Sequence, residues 1–123
     1  MKEENSNKGK ESYFFEEDIL SVIPLKRNYD SSFQIGNFIF DLDKNGKING
    51  IEILKASEIF NIPKIFLKNI VSGNLEIEVN ESFITLKFNI KTHVRNADRI
   101  TSVNIERVKP EFLTPTQLNL AVA

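Results

Sequence analysis

The sequence predicts an α+β domain: a mostly antiparallel β-meander of about seven strands, with one or two helices inserted after the fourth strand. Three observations predict it. Short runs rich in β-branched and aromatic residues alternate apolar and polar side chains at period two, the pattern of a half-buried strand. Turn-forming pairs such as Asn45-Gly46 and Asn80-Glu81 join neighbouring runs as hairpins. Between the fourth run and the fifth, apolar residues recur instead at spacings of three and four, as on one face of a helix.

Taken in order, Ser12–Phe15 and Ile19–Pro24 are β-favouring runs separated by Glu16-Glu17-Asp18, which suits a turn and reads as a hairpin. A third run extends from Phe33 to Leu42, and the return strand is Ile48–Leu54. A two-residue type I′ turn at Asn45-Gly46 would pair Leu42 with Asn49, Asp41 with Gly50, Phe40 with Ile51 and Phe38 with Ile53. Phe38, Phe40, Ile51 and Ile53 then share one buried face. A short helix follows over Ala56–Phe60 with Ser57 as its N-cap, and a second over Pro63–Val71, opened by proline and stopped by Gly73. Leu75, Ile77 and Val79, then Ile84, Leu86, Phe88 and Ile90, alternate with polar residues as a second hairpin, and Val103 and Ile105 mark a last strand.

A chain of 123 residues fits one domain, and at this size folding buries roughly two-thirds of the unfolded surface. Residues 1–12 read as a disordered tail, 13–112 as a single α+β domain, and 113–123 as an apolar C-terminal tail. That last segment either packs on its own domain or serves as an edge strand or partner contact. Neither a secretory leader nor a membrane-length apolar run is present, so the expected location is the cytoplasm, without a membrane partner.

The inventory is poor in catalytic groups. There is no cysteine and one histidine, which removes thiol nucleophiles, disulfides and Cys/His zinc sites. His93 has no second histidine with which to share a metal or a proton, and reads as structural. The glycines lack the strand-loop-helix spacing with Lys-Ser/Thr that cradles a phosphate. The expectation is a protein that is not an enzyme, with no catalytic residue and no cofactor.

Asp41-Leu42-Asp43-Lys44-Asn45-Gly46-Lys47-Ile48-Asn49-Gly50-Ile51-Glu52 nonetheless matches the calcium loop of an EF-hand, with oxygens, glycine and a closing glutamate at the diagnostic places. An EF-hand requires a helix before the loop, whereas Gln34–Phe40 has the composition of a strand. The favoured reading is therefore a hairpin turn with no metal. The alternative is a Ca2+ site built from Asp41, Asp43, Asn45, the Lys47 carbonyl and Glu52.

Net charge is −1, divided into −3 over residues 1–62 and +2 over residues 63–123. Segment 91–109 carries +3 through Lys91, Arg95, Arg99, Arg107 and Lys109 against Asp98 and Glu106. It has no aromatic interleaving or reader motif, so it reads as a solvated strand and loop, with weak nucleic-acid binding as a lesser alternative.

Tyr13–Ile23 (YFFEEDILSVI) and Gly36–Ser57 (GNFIFDLDKNGKINGIEILKAS) resemble a short prokaryotic domain of unknown function. Its signature reads Asp-x-Asp-x-x-Gly-x-x-x-Gly-Ile-Glu-Ile-Leu-x-Ala-Ser, and here runs from Asp41 to Ser57. The family's Tyr-Asp opening stands here as Tyr13-Phe14, and Ser21 replaces a frequent aromatic. Residues 13–57 are thus the signature part, and 58–112 look like the extension of longer, archaeal-type members. The resemblance implies a compact β-meander with no established activity, and a binding or neutralising partner, since some members are encoded beside small toxin-like proteins. The expected output is binding to another protein or to itself, with homo-oligomerisation one form of it, through a sheet edge, the Pro63–Val71 helix or the C-terminus. Whether the domain takes a small-molecule ligand is unknown from the sequence.

Overall fold

The computed structural model describes residues 8–122. Its strands are β1 (Gly9–Phe14), β2 (Ile19–Pro24), β3 (Ser31–Ile35), β4 (Phe38–Leu42), β5 (Ile48–Leu54), β6 (Ile70–Val79), β7 (Phe83–Val94), β8 (Ala97–Val108) and β9 (Thr116–Val122). Two short helices, α1 (Ala56–Phe60) and α2 (Lys64–Leu67), lie between β5 and β6. The strands form two antiparallel sheets, ordered β1-β2-β5-β4-β3 and β8-β7-β6-β9. Leu20, Phe38, Phe40, Ile51 and Ile53 from the first sheet and Leu75, Ile77, Leu86, Phe88 and Ile90 from the second meet in one core.

The expected α+β meander of seven strands is therefore corrected to a mostly antiparallel β architecture of nine strands in two sheets among the described residues, with the helices after the fifth strand. Gly36 explains part of the difference. Its φ of 57° breaks the expected Phe33–Leu42 run into β3 and β4, which pair Ile35 with Phe38, and this left-handed conformation is one that glycine adopts readily.

The second helix is also shorter than its spacing predicts. β6 begins at Ile70 and includes Gly73, where a Cβ would lie 2.8 Å from the Asn89 carbonyl oxygen. Gly73 thus permits a close approach of two strands rather than stopping a helix. At α1 the residue preceding the helix is Lys55, with φ 53°, in place of Ser57, and its own side chain makes no capping bond.

At the termini, β1 begins at Gly9, so the expected tail over residues 1–12 already contains strand; residues 1–7 lie outside the described residues. At the other end Thr116–Val122 pairs along β6 from Val79 to Gly73, and Leu120 and Val122 are buried. A bridge between Lys8 and Ala121 brings the start of β1 beside β9.

The hairpin at 41–52 keeps the expected pairs Asp41 with Gly50, Phe40 with Ile51 and Phe38 with Ile53, but Leu42 pairs with Ile48 rather than Asn49. The turn is longer than a type I′ pair: the Gly46 amide donates to the Asp43 carbonyl at 3.0 Å and the Asp43 amide to the Lys47 carbonyl at 2.9 Å. Gly46 alone of the turn residues has positive φ, at 78°, as in a type I turn followed by a bulge. The extra residue sets Ile48 beside Leu42 in the core and leaves Asn49 to donate from Nδ2 to the Asn28 carbonyl at 2.7 Å. Burying a second apolar side chain in place of an amide favours this register.

Candidate interaction surface

The residues of the calcium alternative do not converge on a common point. Asp41 is 5% exposed and its Oδ2 accepts from Arg27 Nη2 at 2.9 Å. Burial raises its carboxyl above the ordinary range, against the opposing charge of Arg27. Gly50 leaves the space it needs, since a Cβ there would stand 3.1 Å from Asp41 Oδ2. Asp43 Oδ1 instead accepts from the amides of Asn45 and Lys47, at 2.9 and 3.0 Å, and shapes the turn. Glu52 is half-buried on β5, opposite Ser21 and Ile39. No group of three or more His, Cys, Asp or Glu side chains suited to a metal occurs among the described residues.

A second site, centred on the Asp18 carboxylate, was invisible in the sequence because Ser57 lies 39 residues from Asp18. Asp18, in the β1–β2 turn with φ 59°, accepts from Tyr13 Oη and Ser57 Oγ, each at 2.6 Å, and from the Ser57 amide at 3.0 Å. Burial works against its ionisation, but the hydrogen bonds from Ser57 and Tyr13, with the charge of Lys64, prevail and hold its carboxyl below the usual range. The Tyr13 hydroxyl is pushed well above its ordinary value, by burial first and then by Asp18. The Asp18 carbonyl also accepts from the Ala56 amide at 2.9 Å. These bonds clasp the first hairpin to the start of α1.

The second sheet presents a different kind of surface. Arg95 and Asn96, with φ of 56° and 62°, form a two-residue turn between β7 and β8, closed by Val94 opposite Ala97. Their paired positive φ values define a type I′ turn. In such a hairpin the closing pair exchanges both its backbone hydrogen bonds, and alternate residues from there do the same. The odd-numbered residues of β8 therefore bond to β7, while the amides and carbonyls of even-numbered residues point away from the sheet. All six even-numbered residues from Asp98 to Val108 are exposed, with Ile100 at 72% and Val108 at 74%. The Glu106 carbonyl, one of the outward groups, accepts from Arg107 Nη1 at 2.9 Å.

The edges of the two sheets are managed unequally. Beside β1 lies β9, and Phe112 packs edge-on against Phe33 of β3, their ring centroids 5.2 Å apart. β3 has five residues; β8 has twelve and ends its sheet. Of the basic segment 91–109, Lys91 and His93 gather on Asp98, at 3.5 and 2.7 Å. The His93 hydrogen bond is the leading cause that lowers the Asp98 carboxyl. Arg99 and Arg107 instead reach inward, over the rings of Phe66 and Phe38 at 5.1 and 5.7 Å.

These features define a small double-sheet β domain with one clasped half and one long open edge. Residues 10–57 match the family described as "Protein of unknown function (DUF2283)". A Methanosarcina mazei protein named "Putative hypoxanthine phosphoribosyltransferase" is 36% identical over 87 residues, 71% of each chain. An uncharacterized protein of Methanocaldococcus jannaschii is 34% identical over 88 residues, 71% of this chain and 74% of its own. The chain belongs to this family of unknown function. No solved structure matches it. No helix among the described residues is long and apolar enough to cross a membrane.

Proposed function

We propose that the protein is a non-catalytic, cytoplasmic interaction module that binds another protein by adding a strand to the outer edge of β8, with no metal or cofactor. The observation that carries this reading is the run of six exposed residues whose backbone groups point outward from a twelve-residue edge strand. Main-chain hydrogen bonding to such an edge is a recurring mode of peptide recognition. The activity named for the Methanosarcina mazei protein is not carried over to this chain. Nor is calcium, since Asp41 and Asp43 already hold Arg27 and two turn amides.

The test is site-specific photocrosslinking in the native cells, with a photoreactive residue at Ile100 on the edge strand and, in a second preparation, at Glu76 in the middle of the second sheet. A protein adduct at position 100, absent at position 76 and lost when Ser102→Pro is added, supports the reading. Equal adducts at both positions, or none at either, contradicts it.

A further inference from the structure

The charge pattern of β8 selects its partner, an inference that rests on the strand-addition reading above. Basic residues of the strand, Arg99 and Arg107, are odd-numbered and face inward; its acids, Asp98 and Glu106, are even-numbered and face outward. When two strands pair antiparallel within one sheet, directly opposite side chains point to the same face. Two copies of β8 related by a two-fold axis therefore oppose odd residues to odd and even to even. No register of β8 against itself sets an acid directly across from a base, so a second copy of the strand offers its charges no cross-strand ion pair, whereas a different sequence can.

The inward face also specifies what that sequence contains. Among the described residues neither Arg99 nor Arg107 meets a carboxylate; each lies over a phenyl ring, and the Arg107 guanidinium spends one N–H, from Nη1, on the Glu106 carbonyl, so a planar acid there would take over from that bond. Between them Thr101, Val103 and Ile105 are half-buried. We propose that the occupant of the β8 edge is an extended segment of another protein with acidic residues eight positions apart, about 27 Å at strand rise, and β-branched residues between them on the same face. Pairing would place its acids on Arg99 and Arg107, freeing the Glu106 carbonyl for the ladder, and its apolar side chains beside Val103 and Ile105.

The probe is a nine-residue peptide, Glu-Lys-Val-Thr-Val-Thr-Thr-Val-Glu, titrated by fluorescence anisotropy against the full chain, with a control bearing lysine at both ends. The Glu-ended peptide is expected to bind about tenfold or more tightly than the Lys-ended one, and the double variant Arg99→Glu, Arg107→Glu to reverse that preference. Ser102→Pro is expected to abolish binding with its fold kept, because the amide it removes points outward and a proline is tolerated at such a position. Equal binding of both peptides, lost in Ser102→Pro, would overturn the charge rule and leave strand addition standing. Binding unaffected by Ser102→Pro would overturn strand addition itself. The proposal is likewise overturned by no binding of either peptide, by a β8-mediated dimer in sedimentation, or by an oligothymidine that displaces the Glu-ended peptide.

Discussion

The two sheets solve the same folding problem differently. In the first, side chains distant in sequence hold the strands and their connections: Asp18 with Ser57, Arg27 with Asp41, Asn49 with the Asn28 carbonyl. The second relies on regular alternation, with Leu75, Ile77 and Val79 facing Ile84, Leu86 and Phe88 across a long ladder. Its outer face carries Asn74, Glu76, Lys87, Asn89 and Ser102 in a shallow polar depression. The difference teaches where function can reside. The family match covers residues 10–57, the clasped half, so what defines the family is largely what positions its chain; the open edge belongs to the other half.

The comparison can be broken by mutation. The largest effect is expected at Phe88, buried against Phe60 with ring centroids 5.6 Å apart: Phe88→Ala should cost about 3–5 kcal/mol in denaturant unfolding. Asp18→Ala should cost about 3 kcal/mol, since it strips charged acceptors from Tyr13 and Ser57 and places alanine at positive φ. Parallel loss from removing an exposed polar side chain of the second sheet would erase the distinction, and Asn89→Ala is expected to stay within about 0.5 kcal/mol.

The pH dependence separates two carboxylates of the clasped half. Asp18 titrates lower in the folded chain, so its stabilisation is complete above the unfolded carboxyl value of about 3.9 and is lost as pH falls through the folded value. Asp41 titrates higher in the folded chain, so its contribution is full below the unfolded value and is lost as pH rises through the folded one. In paired urea titrations, wild type should gain on Asp18→Asn and lose ground to Asp41→Asn as pH rises through the acid range. The smallest effect is expected at Asp98→Asn, whose exposed bonds to His93 and Lys91 should leave Tm unchanged.

Sequence reading was strongest where one physical rule decided. Alternation over residues 75–90 and the pairing of Phe40 with Ile51 follow from burying one face of a strand, and both were legible. The bulge at Asn49 was not, because it arises from exchanging Asn49 for Ile48 beside Leu42, a choice visible only once the core is assembled. The Asp18 clasp joins residues 39 apart, and no local pattern announces it, although Tyr13 and Ser57 bracket the stretch that resembles the family. The turn at Arg95-Asn96 was missed because neither residue is glycine. With it went the phase of β8, the information that assigns its inward and outward backbone groups.

That phase is also the most direct test of the account. Amide hydrogen exchange, read residue by residue by NMR, should alternate along β8: slow at Arg99, Thr101, Val103, Ile105 and Arg107, whose amides bond to β7, and fast at Ile100, Ser102, Asn104, Glu106 and Val108. Uniform slow exchange along the strand would show that its outer edge is already covered, and would contradict the claim that β8 is the open edge.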